Sequence, residues 1–374
     1  MNPAPARNQA LDAYRGFVML LMMAEVLHLS QIARAFPDNW VWQTLSYHQS
    51  HVAWEGCSLH DMIQPSFSFL VGVALPYSIA SRLAKGASGT SMFFHTCWRA
   101  FLLIALGIFL RSTHSLQTNF TFEDTLTQIG LGYPFLFVLG LRPPRWQWAA
   151  LGVILFGYWL VWALYPLPPE LGFGAHWQKA DNYGAAFDRW FLNLFSRPTP
   201  FLGNRGGYLT LSFIPTLGTM ILGLAAGRWL RASAPTLPLR QFLGAGVACA
   251  AGGLFLHFTG ICPIVKRIWT PAWTLFSGGV CFLFLAGFSW MIDVRHYRWW
   301  AFPLVVIGMN SIAAYVIAHL WEDFVLGSFR IHLGAGLFGF AGPGLAPLWS
   351  GLSVLGVFWL ILWWMYRRQL FLRI

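Results

Sequence analysis

Charge is what this sequence has least of. Asp, Glu, Lys and Arg make up 10% of the 374 residues, against about 25% in soluble globular proteins. That is too little to cover a water-facing surface, so an ordinary soluble domain is excluded. Acid is scarcer still, with 13 Asp and Glu against 24 Lys and Arg and a formal charge of +11. The five cysteines show no C-x-x-C pair and no metal-ligand spacing, and so give no support to a metal site. No Gly-rich phosphate loop, G-x-S-x-G elbow or H-E-x-x-H is present, and the soluble enzyme classes built on them are not supported. There is also no internal repeat and no low-complexity tract; residues 1–374 read as a single domain.

What is abundant is apolar and aromatic. Hydrophobic residues reach 57% and aromatics 17%, with 21 Trp and 33 Phe. A hydrocarbon core of about 30 Å needs roughly 20 apolar residues per helix, and backbone in lipid must be satisfied within helices or a closed barrel. The apolar runs are long and do not alternate, which predicts an all-α integral membrane protein of about ten transmembrane helices. Spans are expected near 13–35, 62–82, 92–111, 124–141, 146–165, 209–230, 239–261, 271–292, 300–320 and 350–367. Breakers separate them: Arg142-Pro143-Pro144-Arg145, Pro235 to Pro238, Pro263, and a Gly/Pro cluster from Gly334 to Pro347. The longest connection, 166–208, is polar and reads as an extracytoplasmic loop.

Most of the basic excess is explained by orientation. With alternating sides, fifteen of the 24 Lys and Arg, from Arg7 to Arg373, fall on the side of the termini. The positive-inside rule then places both termini in the cytoplasm. Nucleic acid is not an expected partner; membrane lipid is. The run from Leu11 has no small-residue cleavage site, which reads against a cleavable leader.

Titratable residues concentrate after the first span. His48, His51, Glu55, His60 and Asp61 fall within 14 residues. They read either as solvated loop residues or as a site where His acts as base and a carboxylate orients it. The spacing of His48, His51 and His60 fits no metal motif, so no metal is expected. Glu25 lies within span one with His28 one turn on. An ionisable group in a span defaults to a functional reading, and the alternative is a structural pair of the two at i, i+3. Asp12 and Arg15 read as an ion pair or cap. Asn310, inside span nine, is either helix–helix glue or a ligand contact. Cys57 and Cys262 share the predicted outer side, as a disulfide or as two unrelated buried thiols.

The stretch from His51 resembles a known signature. His51, Trp54, Gly56, Asp61, Pro65, Phe67, Phe69 and Gly72 match the pattern H-x-x-W-x-G-x(4)-D-x(3)-P-x-F-x-F-x-x-G of the transmembrane acetyltransferases related to heparan-alpha-glucosaminide N-acetyltransferase. Leu11 to Gly16 is similar to that family's L-D-x-F/Y-R-G opening, and Ile129 to Tyr133 to its R-I-G-L-x-Y segment. Ser212 to Gly227 resembles its proline-containing, glycine-rich span, Lys266 to Thr270 its K-x-I/L-W-T motif, and Pro303 to Tyr315 its P-x-x-x-x-G-M-N span. The set runs in the family's order from about residue 11 to 320.

The resemblance implies a membrane acyltransferase that takes acetyl from cytosolic acetyl-CoA and delivers it to a sugar amine or hydroxyl beyond the membrane. The family's catalytic histidine falls on His51, which the basic-residue count puts on the extracytoplasmic side of the cell (inner) membrane. His51 would be base or acyl carrier. Asp61 would orient it or hold the acceptor amine, or else cap span two, and Asn310 would donate to the thioester oxygen. Coenzyme A carries phosphates, so Arg82, Lys85, Arg142, Arg145 and Gln128 are its candidate contacts. Glu25, His28, Trp54, Glu55, Lys266 and Trp269 are candidate acceptor contacts. Two positions depart from the family: Glu25 and Val26 stand near its usual Asn, and Gln128 stands at its usual Arg. Relatives also admit a homodimer. The rival from another class is a transporter or flippase of a small polar or glycan-linked solute.

Overall fold

The computed structural model describes residues 8–334 and 336–372, and Arg7 and Arg373 lie outside them. The described chain is helical, with no strand and one isolated antiparallel bridge between Glu55 and Val265. Its α-helices are α1 (Gln9–Met23), α2 (Leu29–Ala35), α3 (Trp40–His48), α4 (Ile63–Ala84), α5 (Gly89–Ser112), α6 (Thr125–Gly140), α7 (Pro144–Ala163) and α8 (Tyr183–Phe191). They continue with α9 (Phe213–Ser233), α10 (Leu239–Phe258), α11 (Pro271–Ser289), α12 (Phe302–Met309), α13 (Ser311–Leu320), α14 (Glu322–Leu333) and α15 (Ala346–Arg367).

Every apolar stretch expected as a span is helical. Among the described residues seven helices are long and apolar enough to cross a membrane, and nine if each of two bent pairs is one span. The bends are 47° between Gln9–Leu27 and Leu29–Ala35, and 74° between Trp299–Met309 and Ser311–Leu320. α6 has 16 residues; at 1.5 Å each that is about 24 Å, short of a full hydrocarbon core.

By compactness the chain divides into two units. One comprises Met1–Ala53, Cys57–Ile63 and Phe284–Ile374, the other Trp54–Gly56 and Gln64–Leu283. In the first, α1 packs on α12 backbone to backbone. A Cβ at Gly16 would land on the carbonyl of Leu304, and one at Gly308 on the carbonyl of Asp12. Small residues let membrane helices approach this closely where packing, not hydrophobic transfer, drives association. Ala10, Ala13, Ile292, Ala301, Leu304 and Val305 fill the seam, and Tyr14 stacks on Phe288 at 5.3 Å. Asp12 and Arg15 form the expected i, i+3 pair at 3.2 Å.

The bend in the first span has a local cause. His28 adopts φ +47°, a left-handed conformation that histidine enters more readily than most residues but that ends a helix. The break leaves the Ala24 carbonyl and the Leu29 amide without helical partners. Gln49, just past α3, supplies both: its Nε2 donates to Ala24 at 2.5 Å and its Oε1 accepts from Leu29 at 2.9 Å.

In the second unit α9 is buried along most of its length and packs against α4, α6 and α7. The segment 166–208 is ordered around α8. Asn182 caps it, accepting from the Ala185 amide at 2.8 Å, and Trp162 stacks on Trp177 at 5.8 Å. Asp188 of α8 accepts from the Thr210 amide at 3.0 Å. Its other oxygen is buried without a hydrogen-bond partner among the described residues, and burial pushes its carboxyl up to about 6. The folded state therefore holds this proton more tightly than the unfolded chain does. The stability it contributes is present in full below about pH 3.8 and is lost as pH rises to about 6, a span worth roughly 3 kcal/mol. Asp188→Asn keeps the acceptor for Thr210 and removes the buried charge. It should raise Tm by about 5 °C at pH 7.5 and by little at pH 4. Equal Tm changes at the two values in a thermal-shift series would refute this.

Candidate active site

The site is assembled within the first unit, on the turn that leads into α4. Ser58 opens that turn. Its Oγ accepts from the Asp61 amide at 3.3 Å, and the Asp61 carboxylate accepts from the Ser58 amide at 3.0 Å. This reciprocal pair is the capping-box arrangement that starts helices. The Asp61 side chain is fully buried, so every lone pair matters. Its Oδ2 accepts from Ser58 Oγ at 3.0 Å and from the Val52 amide at 3.3 Å, besides the Ser58 amide. Its Oδ1 is left for His51 Nδ1, at 2.8 Å. Asp61 thus caps the turn and hydrogen-bonds His51 at the same time.

The bond fixes more than position. A carboxylate facing Nδ1 selects the Nδ1–H tautomer, which puts the imidazole lone pair on Nε2. The His51 side chain is 36% exposed, so a solute can approach a ring whose anchor is sealed from water. This is the arrangement that a general base and its orienting carboxylate would need.

A second imidazole flanks it. The His60 ring lies 4.6 Å from that of His51, and His60 Nε2 meets Glu25 Oε1 at 3.1 Å. Glu25 sits in the 3-10 turn that ends α1, with 58% of its side chain exposed. His28 pairs instead with Glu322 of α14, at 2.9 Å. The i, i+3 pair considered for Glu25 and His28 therefore does not form, because the helix ends at His28 and the two no longer share a helical face. His48 Nδ1 accepts from the Leu59 amide at 3.2 Å, and the Tyr47 hydroxyl donates to the Cys57 carbonyl at 3.3 Å. α3 is thereby tied to the same turn. Gln49, Ser58 and Glu322 were not foreseen. Ser58-x-x-Asp61 was visible as a capping spacing; the other two meet their partners across distant sequence and carry no local signal.

Other candidates lie elsewhere. Asn310 is buried at the break between α12 and α13. Its Nδ2 donates to Leu370 at 3.0 Å and its Oδ1 accepts from Leu372 at 3.2 Å, so its amide ties down the C-terminal segment. In the second unit, Gln128 donates to the Leu209 carbonyl at 3.0 Å and accepts from the Thr216 hydroxyl at 3.1 Å, a buried strut between α6 and α9. Arg82 leans on His95 at 3.0 Å, while Lys85, Arg142 and Arg145 are exposed.

Also in the second unit, Trp54 Nε1 donates to Trp177 at 3.0 Å, and Glu55 bridges to Val265. Lys266 is buried with its ammonium 6.0 Å from the Tyr208 ring, and Arg267 lies over the same ring at 5.4 Å. Trp269, at φ +48°, donates to Thr219 at 3.4 Å. All five cysteines carry reduced thiols, so the Cys57–Cys262 disulfide is not formed. Burial pushes the Cys262 thiol up to about 12, which keeps it from acting as a nucleophile.

No family model matches the chain. It is similar to heparan-alpha-glucosaminide N-acetyltransferase of Homo sapiens, 22% identical over 378 residues that cover 87% of this chain and 54% of that protein. It is also similar to the enzyme of that name from Mus musculus, 22% identical over 370 residues, 85% and 54% of the two chains. The chain spans about half the length of these curated relatives. The order of motifs and the likeness over most of its length agree: the chain is a distant relative of the heparan-alpha-glucosaminide N-acetyltransferases.

Proposed function

We propose that this chain is a multi-pass membrane acetyltransferase with about ten crossings and both termini in the cytoplasm. It moves acetyl from cytosolic acetyl-CoA to an amine or hydroxyl of an extracytoplasmic sugar or glycan. The observation that carries this reading is the 2.8 Å bond from His51 to a buried carboxylate, in a chain related to N-acetyltransferases over 87% of its length.

The chemistry needs what that bond supplies. As the nitrogen of a neutral sugar amine attacks a thioester carbonyl it must shed a proton. The Nε2 lone pair of His51 takes that proton, and the imidazolium is stabilised by Asp61. The nitrogen–carbon bond forms, the carbon–sulfur bond breaks, and the departing thiolate takes the proton back as coenzyme A thiol. In the covalent variant the same Nε2 attacks the thioester, releases coenzyme A and passes the acetyl on. Both routes use one lone pair held in one direction. The reading gives no chemical role to Asn310 or Gln128, whose amides are committed to structure. Glu25, beside His60, is the acceptor contact it favours.

Purified protein in nanodiscs, supplied with labelled acetyl-CoA and a panel of amino sugars and sugar alcohols, provides the test. Transfer is expected to at least one acceptor, and His51→Ala should lower it by about a thousandfold or more. An acid quench without acceptor should show label on residue 51 only if the covalent route operates. The absence of His51-dependent transfer across the panel would overturn the proposal.

A further inference from the structure

In the second unit, the C-terminal ends of α4, α6 and α9 border an open-sided cavity of about 500 Å³, lined by Pro76, Ile79, Gly140, Arg228, Arg231 and Ala232. This size falls in the range of small-molecule sites. Two guanidinium groups face it, one turn apart on α9. Arg228 is fixed: its Nη2 donates to the carbonyls of Gly140 at 2.7 Å and Arg142 at 2.6 Å, closing the end of α6. Those carbonyls orient the group but do not neutralise it. Among the described residues, neither arginine makes an ion pair with a carboxylate. The remaining walls are apolar, from Pro76, Ile79 and Ala232. Gly140 lets α6 pack close to α4 at this end, since a Cβ there would press on the side chains of Leu75 and Ile79.

Two uncompensated arginines against an apolar wall suit one chemistry. We infer that this cavity binds a phosphate group joined to an apolar or planar body. Arginine presents a planar fork that matches phosphate oxygens, and the apolar wall takes the attached body. Arg228 and Arg231 belong to the basic side predicted to be cytoplasmic. Two molecules there carry such a group: coenzyme A, through its nucleotide end, and an anionic phospholipid of that leaflet. The coenzyme A source rests on the proposed transfer reaction; the lipid source does not.

The full chain in nanodiscs of neutral phosphatidylcholine is titrated with coenzyme A by calorimetry, as wild type, Arg231→Gln, Arg231→Lys and Ala232→Trp. Arg231 and Ala232 are exposed, so the variants should fold, which monodisperse elution checks. Losing one phosphate-bound guanidinium should weaken binding by about tenfold. Filling the cavity with Trp should do at least as much, and Lys should restore part. In a second arm the discs contain phosphatidylglycerol, and retained lipid is counted by native mass spectrometry; Arg231→Gln should lose one molecule. A change in the first arm assigns the cavity to coenzyme A, and one in the second arm alone to the lipid. No change in either arm overturns the inference. Weakened coenzyme A binding without transfer by the wild type would retain the cavity and refute the acetyltransferase.

Discussion

Asp61→Asn is expected to lower acetyl transfer by about a thousandfold or more, although Asn has the same shape and leaves the helix cap intact. The reason lies in how the carboxylate is held. Oδ2 accepts from the Val52 amide, the Ser58 amide and the Ser58 hydroxyl, a position that only an oxygen can fill. An asparagine must therefore place its oxygen there and turn its NH₂ toward His51 Nδ1. That forces the opposite tautomer, with the proton on Nε2 and the lone pair on Nδ1 facing the amide. The ring stays in place but has nothing to take a proton with, and it no longer has a negative charge to stabilise its protonated form. The loss should appear in kcat, with KM for acetyl-CoA little changed. Nitrogen NMR of labelled histidine would report the tautomer directly. Ser58→Ala should cost far less, because the Ser58 and Val52 amides still pin the oxygen. If Asp61→Asn kept most of the activity, Asp61 would be a cap and nothing more, and the base would have to be sought elsewhere.

The titratable cluster from His48 to Asp61 was legible because it is local, and the family resemblance singled out His51 and Asp61 within it. Ten residues separate them, and the Ser58-x-x-Asp61 spacing marks a helix start just before an apolar run. The long apolar stretches were legible for the same reason: each is long enough to register by composition alone. What composition could not show is where a stretch bends. The run from 13 to 35 is mostly apolar, yet His28 breaks it by adopting a left-handed conformation that a distant glutamine, Gln49, makes tolerable. The run from 300 to 320 reads as one span, yet Asn310 stands at a 74° break and holds the chain's last turns. Glu25 was marked as costly in a span, and its partner His60 lies 35 positions away. Arg82, Lys85, Arg142 and Arg145 drew attention because they lie on the side expected to meet coenzyme A. The pair that lines a cavity, Arg228 and Arg231, looked like ordinary flanking charge at the end of α9. Charge near a membrane surface is common, and only the three-dimensional grouping of helix ends distinguishes a site from an anchor.

Gly223→Ala should be among the most damaging single-methyl changes in the described chain. α9 and α4 meet with their backbones nearly in contact. A Cβ at Gly223 would fall on the Phe69 carbonyl, one at Gly227 on the Val73 carbonyl, and one at Gly72 on the Met220 carbonyl. Each obstacle is backbone, which cannot rotate aside as a side chain can. Gly223 and Gly227 stand four apart, the small-x-x-x-small spacing that lets membrane helices approach closely, and Gly72 answers from the opposite helix. Adding the methyl must therefore push two helices apart and open voids along a crossing whose other members, among them Phe69, Ile221 and Leu224, are fully buried. Overpacking of a well-filled core costs about 1–3 kcal/mol where side chains can adjust. Here they cannot, and about 4 kcal/mol or more is expected. The intrinsic gain of up to about 1 kcal/mol for Ala over Gly in a helix does not offset it. Gly157→Ala, on α7, is the matched control, because a Cβ there meets nothing within 4 Å; it should be neutral or slightly stabilising. The comparison is read as Tm and as the monodisperse fraction after detergent extraction. Equal behaviour of the two variants would mean that α4 and α9 do not cross as closely as their glycines imply.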